Sequence, residues 1–175
     1  MTETRLPVPF ASQLDNQSGT GWRECFSSSA AMLAMYWGKV PSDDVYNRIR
    51  SRYGDTTSAA AQLAALRSLG LRADFWTNGT RADIARQVLG GRPVGVGWLH
   101  RGPITSPRGG HWSVVVGLAG PHHFLMHDPY GEPYLVSGTH NPRRSGAYLT
   151  CSWANFLMRW EVEGPRTGWY LTAQG

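Results

Sequence analysis

The two halves of this 175-residue chain carry different periodicities, and their order constrains the fold more than any other feature. Up to Leu89 the apolar residues recur at helical spacing. From Pro93 onward they gather in short β-branched runs. The first helix is expected over Cys25–Trp37, with Phe26, Ala30, Leu33, Ala34 and Trp37 on one face. Gly38 stops it and Pro41 prevents continuation. Ser42 caps a second helix from Asp43 to about Tyr53, with acidic residues in its first turn. Thr57 or Ser58 starts a third through Arg67, closed by Gly70. Thr80 begins a fourth that ends near Leu89, and Asp83 three residues on completes a capping-box pattern. Strands are expected over Pro93–Leu99, His111–Leu118, His123–His127, Pro133–Val136 and Trp169–Thr172, with a short helix over Ser152–Trp160. Val8–Gln13 reads as an edge strand, where proline is tolerated, and Arg101–Gly109 as a surface loop beside a cleft. Helices first and strands second predict an α+β fold with segregated layers. No linker or repeat divides the chain, so residues 1–175 read as one domain.

Bulk properties exclude several classes. No apolar run approaches the roughly 20 residues of a membrane span, and no apolar signal-peptide segment follows Met1-Thr2-Glu3-Thr4-Arg5. Synthesis in the cytoplasm without export by the usual signal is the expectation. The net charge of +5 suits an anionic partner such as a cell-wall polymer. The arginines are scattered and no nucleic-acid motif accompanies them, so a nucleic-acid partner is not expected. Two cysteines are too few for a disulfide scaffold. Cys25 and Cys151 therefore read as free thiols, one reactive and one structural.

The reactive one is Cys25. A thiol in the first turn of a helix faces the positive end of the helix dipole, a position that favours thiolates in general. Charged Arg23 and Glu24 beside it favour partial exposure. A thiol hydrolase also needs a base, a group that fixes the base's tautomer, and donors for the oxyanion. His111 is the best of the six histidines as base, because it follows Gly109-Gly110, where a substrate backbone can approach. Asp128 stands at a strand end before Pro129-Tyr130-Gly131 and can orient that imidazole. Gln13 can donate its amide to the oxyanion, together with the Cys25 backbone N–H. His122, His123, His127 and His140 have weaker claims, and the first three match no zinc-ligand spacing. No cofactor is implied.

In chain order these segments resemble the C39-like cysteine peptidases of the papain-like superfamily. Val8-Pro9-Phe10-Ala11-Ser12-Gln13 matches the family's opening Val-Pro-x-x-x-Gln. Cys25 through Trp37-Gly38 matches its nucleophile helix, Gly110-His111 followed by Val114-Val115-Val116 its Gly-His strand, and Asp128-Pro129-Tyr130-Gly131 its Asp-Pro-aromatic-Gly turn. The helix from Arg81 to Leu89 and Gly91-Arg92-Pro93-Val94 resemble the segment before that strand. The resemblance implies a papain-like α+β fold, with an N-terminal helical layer carrying the nucleophile packed on a mostly antiparallel sheet. It implies Cys25 as nucleophile, His111 as base, Asp128 as orienting acid and Gln13 as oxyanion donor. Phe26 stands where members often have glycine, and is expected either to narrow the cleft or to turn into the core. The implied activity is peptide-bond hydrolysis. The expected substrate is a peptidoglycan stem peptide or crosslink, as for a small endolysin acting on an anionic wall. The alternatives are a protease that processes leader peptides or other proteins, and a papain-like binding module without chemistry.

Overall fold

The run Cys25–Tyr36 folds as α1, and its small side chains explain its place. Every residue from Phe26 to Ala34 is buried, so this stretch is enclosed on all sides rather than along one face. Serine and alanine let neighbouring elements approach closely. The cost is three buried hydroxyls, which need partners. Two of them tie α1 to helices α2 (Asp43–Arg50) and α3 (Ala59–Ser68). Ser27 Oγ lies 2.7 Å from Thr56 Oγ1 and accepts from Arg50 Nε and Gln62 Nε2. Ser28 Oγ donates to Asp43 Oδ2 at 3.0 Å. Ser42 and Ser58 cap α2 and α3 as expected. The computed structural model describes residues 3–175. Met1 and Thr2, the head of the segment read for an export signal, lie outside the described residues.

Behind α1 stands an antiparallel sheet. Its strands are β1 (Thr4–Arg5), β2 (Arg72–Gly79), β3 (Val94–Arg101), β4 (Arg108–Ala119), β5 (His123–His127), β8 (Leu149–Ser152) and β9 (Gly168–Gln174). Their order is β2-β9-β3-β4-β5-β8, with β1 paired to the far end of β4. Every pairing is antiparallel. Helix α1 packs on β3, β4 and β9. Helix α4 (Arg81–Leu89) packs on β3 and β4, and α5 (Trp153–Trp160) on β3 and β8. The Thr80–Asp83 capping box of α4 is present in both directions. A separate hairpin, β6 (Glu132–Tyr134) and β7 (Thr139–Asn141), stands off the main sheet. The architecture is thus α+β, a helical layer on an antiparallel sheet.

Several elements differ from expectation. Val8–Gln13 is not a strand. Pro7 and Pro9 have no N–H to give a ladder, pairing ends with the Leu6 N–H to Val116 O bond, and Gln13 opens a short 3₁₀ turn, Gln13–Asp15. Strand β2 interrupts the helical half, and β1, β7 and β8 are additional strands. The Arg101–Gly109 loop is shorter than expected, because β3 and β4 continue until Arg101 pairs with Arg108.

The β3–β4 register matters most for function. Trp98 lies opposite His111 and Val96 opposite Ser113. With the period-two alternation of strands, Trp98, His100, His111 and Ser113 share one face. Trp112 turns to the other, where its ring stacks on Phe26 of α1 at 3.8 Å.

Candidate active site

Cys25 is the first residue of α1. A first-turn N–H has no acceptor one turn earlier in its own helix, so it is available to a ligand. The residue is partly exposed. It lines a cleft together with Gln13, Trp22, Phe26, His100, His111, Trp112 and Tyr130. Phe26 does both things expected of it: it is buried, and its stack with Trp112 forms part of the cleft wall.

His111 comes from β4 and is fully enclosed. Its Nε2 lies 2.9 Å from both oxygens of Asp128, which leaves Nδ1 unused by that pair; Cys25 lines the same cleft, near enough for its sulfur to act on the imidazole. Burial by itself lowers the pKa of His111. The Asp128 carboxylate and then the Cys25 sulfur outweigh burial and raise it above the ordinary histidine value. Burial likewise pushes Asp128 up, but the charge and hydrogen bond of His111 and the hydrogen bond of His140 hold it well below the usual carboxylate range. The pair is therefore biased toward imidazolium and carboxylate.

Asp128 is anchored beyond His111. Ser113 Oγ donates to Oδ2 at 3.0 Å, His140 Nε2 lies 3.2 Å from the same oxygen, and the Tyr130 N–H donates to Oδ1 at 2.8 Å. Ser113 in turn accepts from Trp98 Nε1 at 3.0 Å. Gln13 is buried at the cleft floor, its Nε2 donating to Gly21 O at 2.8 Å. That bond uses one amide hydrogen and leaves the second free. The Gln13 N–H donates to Pro129 O at 2.9 Å, so the oxyanion side and the carboxylate side of the cleft are held by one backbone contact. All four candidates, Gln13, Cys25, His111 and Asp128, meet at one place.

Two histidines without a strong sequence claim join them. His100 stacks on His111 with centroids 4.7 Å apart. Burial, followed by the charges of His111 and His140, pushes its pKa down to about 3, so it stays neutral beside the imidazolium. Its buried Nδ1 has no partner among the described residues. His140 arrives on β7. Only its distance in the fold, not its neighbours in sequence, links it to the site. The metal reading of His122, His123 and His127 is set aside because His127 uses both nitrogens on backbone: Nε2–H donates to Val8 O and Nδ1 accepts from the Tyr148 N–H. His111, Asp128 and His140 do bring three ligating atoms within 4.8 Å of one another, but the hydrogen bonds among them already satisfy that set. Cys151 is a free thiol buried in the core, its pKa pushed up to about 12 by burial, which suits a structural role.

The Peptidase_C39 like family matches residues 5–164. The chain belongs to this family. It is accordingly a C39-like cysteine peptidase domain, a hydrolase by class. No curated protein matches the chain. Among solved structures, a C39-like peptidase from Bacillus anthracis is similar with a TM-score of 0.67 at 14% identity, covering 100% of this chain and 98% of that one. A double glycine motif protease from an AMS/PCAT transporter, in complex with its leader peptide, gives 0.61 at 19% identity over 99% and 98%. The peptidase domain of Streptococcus ComA, a bifunctional ABC transporter of a quorum-sensing pathway, gives 0.62 at 18% over 95% and 97%. At these identities the likeness shows a shared fold.

Proposed function

We propose that this C39-like domain is a cysteine endopeptidase that processes leader-type peptides. The observation that carries the chemistry is the His111–Asp128 pair set beside Cys25 at a helix start. In this reading the Cys25 thiolate attacks the scissile carbonyl carbon, forming a C–S bond while the carbonyl π pair moves onto oxygen. The Cys25 N–H and the free Gln13 Nε2–H receive that oxyanion. His111 gives its Nδ1 proton to the departing amine as the C–N bond breaks. His111 then takes a proton from water, whose oxygen attacks the thioester. The acid product leaves and Cys25 is restored.

Peptide processing is favoured over wall lysis by the two transporter peptidases that share the fold from end to end, one of them bound to a leader peptide. Local geometry supports it. The stacked Phe26 and Trp112 line the cleft that holds the nucleophile, a wall that suits small residues at the scissile bond. An apolar cavity of about 290 Å³ lined by Trp98, Leu99, Trp112, Trp160 and Trp169 adjoins the cleft through Gly110, His111 and Trp112, and it suits an apolar side chain of a polypeptide. No helix among the described residues is long and apolar enough to cross a membrane. The net charge of +5 suits an anionic wall, but no feature of the cleft favours peptidoglycan over a free peptide.

The deciding experiment incubates the protein with synthetic leader peptides bearing paired glycines and, separately, with purified peptidoglycan, and reads products by mass spectrometry. Cleavage after the glycines that disappears in Cys25→Ala supports the proposal. New free amines from peptidoglycan with intact leader peptides overturn it in favour of wall lysis. No cleavage of either, with Cys25 inert, supports a binding module.

A further inference from the structure

The β6–β7 hairpin lies outside the main sheet, yet it delivers a second imidazole to the carboxylate behind His111. His140 places Nε2 3.2 Å from Asp128 Oδ2, and its side chain is only 4% exposed. Its ring stands edge-on to His111 with centroids 5.1 Å apart and packs near Trp98, His100 and Tyr130.

The hairpin is fastened there from below. Arg159 of α5 is fully buried. Its guanidinium donates to the carbonyls of Leu135 and Val136, just after β6, and to those of Leu99, Arg101 and Gly102 at the end of β3. Gly138, at the turn of the hairpin with φ +72°, lies against the Gly102 backbone so closely that a Cβ would collide with it. Both devices hold β7 against the strand that carries His100, and so hold His140 against Asp128.

The consequence falls on the carboxylate. Oδ2 accepts from Ser113 and faces His140, Oδ1 accepts from the Tyr130 N–H, and both face His111. Turning the carboxylate plane breaks several of these bonds at once. We propose that His140 is a positioning residue of the reaction. Its Nε2–H fixes the orientation of Asp128, and through Asp128 the proton-bearing geometry of His111 toward Cys25. This rests on Cys25, His111 and Asp128 being the reacting set, as proposed above.

The test uses a peptidyl-glycyl-glycine chloromethyl ketone as an irreversible probe, followed by intact mass. His140→Gln keeps an N–H near the Nε2 position, whereas His140→Leu removes it. Loss of a hydrogen bond to a buried carboxylate costs about 10–100-fold. In His140→Leu the maximal inactivation rate should fall by about that factor, with half-saturation within about threefold. In His140→Gln the rate should recover to within about fivefold of wild type. Equal rates in Leu and wild type overturn the inference, as do equal losses in Leu and Gln or a change confined to half-saturation. If His140→Leu does not fold, long-range ¹H–¹⁵N spectra of histidine-labelled wild type decide: the proton must sit on His140 Nε2, and its absence there ends the idea. His111→Ala run beside these separates the two readings. Unslowed labelling in His111→Ala sinks the reacting set itself. Slowed labelling in His111→Ala with an unaffected His140→Leu sinks only the role of His140.

Discussion

Replacing Asp128 by asparagine is nearly isosteric, and the surroundings make it expensive. Every group facing the wild-type carboxylate is a donor or is placed to be one: His111 Nε2, Ser113 Oγ, His140 Nε2 and the Tyr130 N–H. An amide puts NH₂ where one acceptor stood. At the Oδ1 position it meets the Tyr130 N–H, which cannot reverse. At Oδ2 it meets Ser113 and His140, and Ser113 already accepts from Trp98. At Oδ1 the amide N–H and the Tyr130 N–H are both left unpaired; at Oδ2 the amide is met only if Ser113 turns its O–H away or His140 changes tautomer, so a buried group loses its partner at about 1–3 kcal/mol. The expected loss is about 1–3 kcal/mol, or roughly 2–12 °C in Tm for a domain of this size. His111 also loses its counter-charge, so kcat/KM should drop by about 10²–10⁴. Because Asp128 has a depressed pKa in the fold, its stabilisation is present above the unfolded value near 3.9 and is lost as pH falls through the folded one. The gap between wild type and Asp128→Asn should therefore persist from pH 7 to 5 in thermal melts. A variant that melts within 1 °C of wild type and keeps activity within about threefold refutes the donor accounting.

Two further outcomes follow from neighbouring groups. Burial first, then the charges of His111 and His140, lower His100, and burial lowers His127, so both bind protons more readily unfolded, near 6.5, than folded. Stability should fall as pH drops below about 6.5, at up to about 1.4 kcal/mol per pH unit for each proton and less for the partly exposed His100. Melts from pH 7 to 4 should show this, with a shallower slope in His100→Phe; a flat wild-type profile contradicts it. Gln13→Ala should lower kcat by about 10²–10³, measured on whichever peptide the wild type cleaves. A silent Gln13→Ala places the oxyanion donor elsewhere.

What the sequence disclosed followed from local signals. The serine caps of α2 and α3, the Thr80–Asp83 box and the Gly38 stop act within a few residues of themselves, and each helix appears where they put it. The strands that escaped notice lack such marks. β2 mixes polar and apolar residues without alternation on an open edge, with only Ala73 and Gly79 buried. β7 and β8 run for only three and four residues, too short for an alternating pattern to show, and β8 pairs with β5 across more than twenty residues of chain. The site divides the same way. Cys25, His111 and Asp128 sit in recognisable local settings, at a helix start, after two glycines and before a proline turn. His140 has none, since its place depends on the hairpin fold and on Arg159 reaching across from α5. The apolar face of Cys25–Trp37 is only part of what α1 buries, because its serines are enclosed only once Thr56, Arg50, Gln62 and Asp43 are in place.

The central claim is that Cys25 is made reactive by His111. Labelling with a peptidyl chloromethyl ketone, mapped by peptide mass spectrometry, tests it most directly. The account predicts one adduct, on Cys25 and not on Cys151, forming at least tenfold more slowly in His111→Ala. Equal labelling of Cys25 in that variant, or an adduct on Cys151 alone, contradicts it.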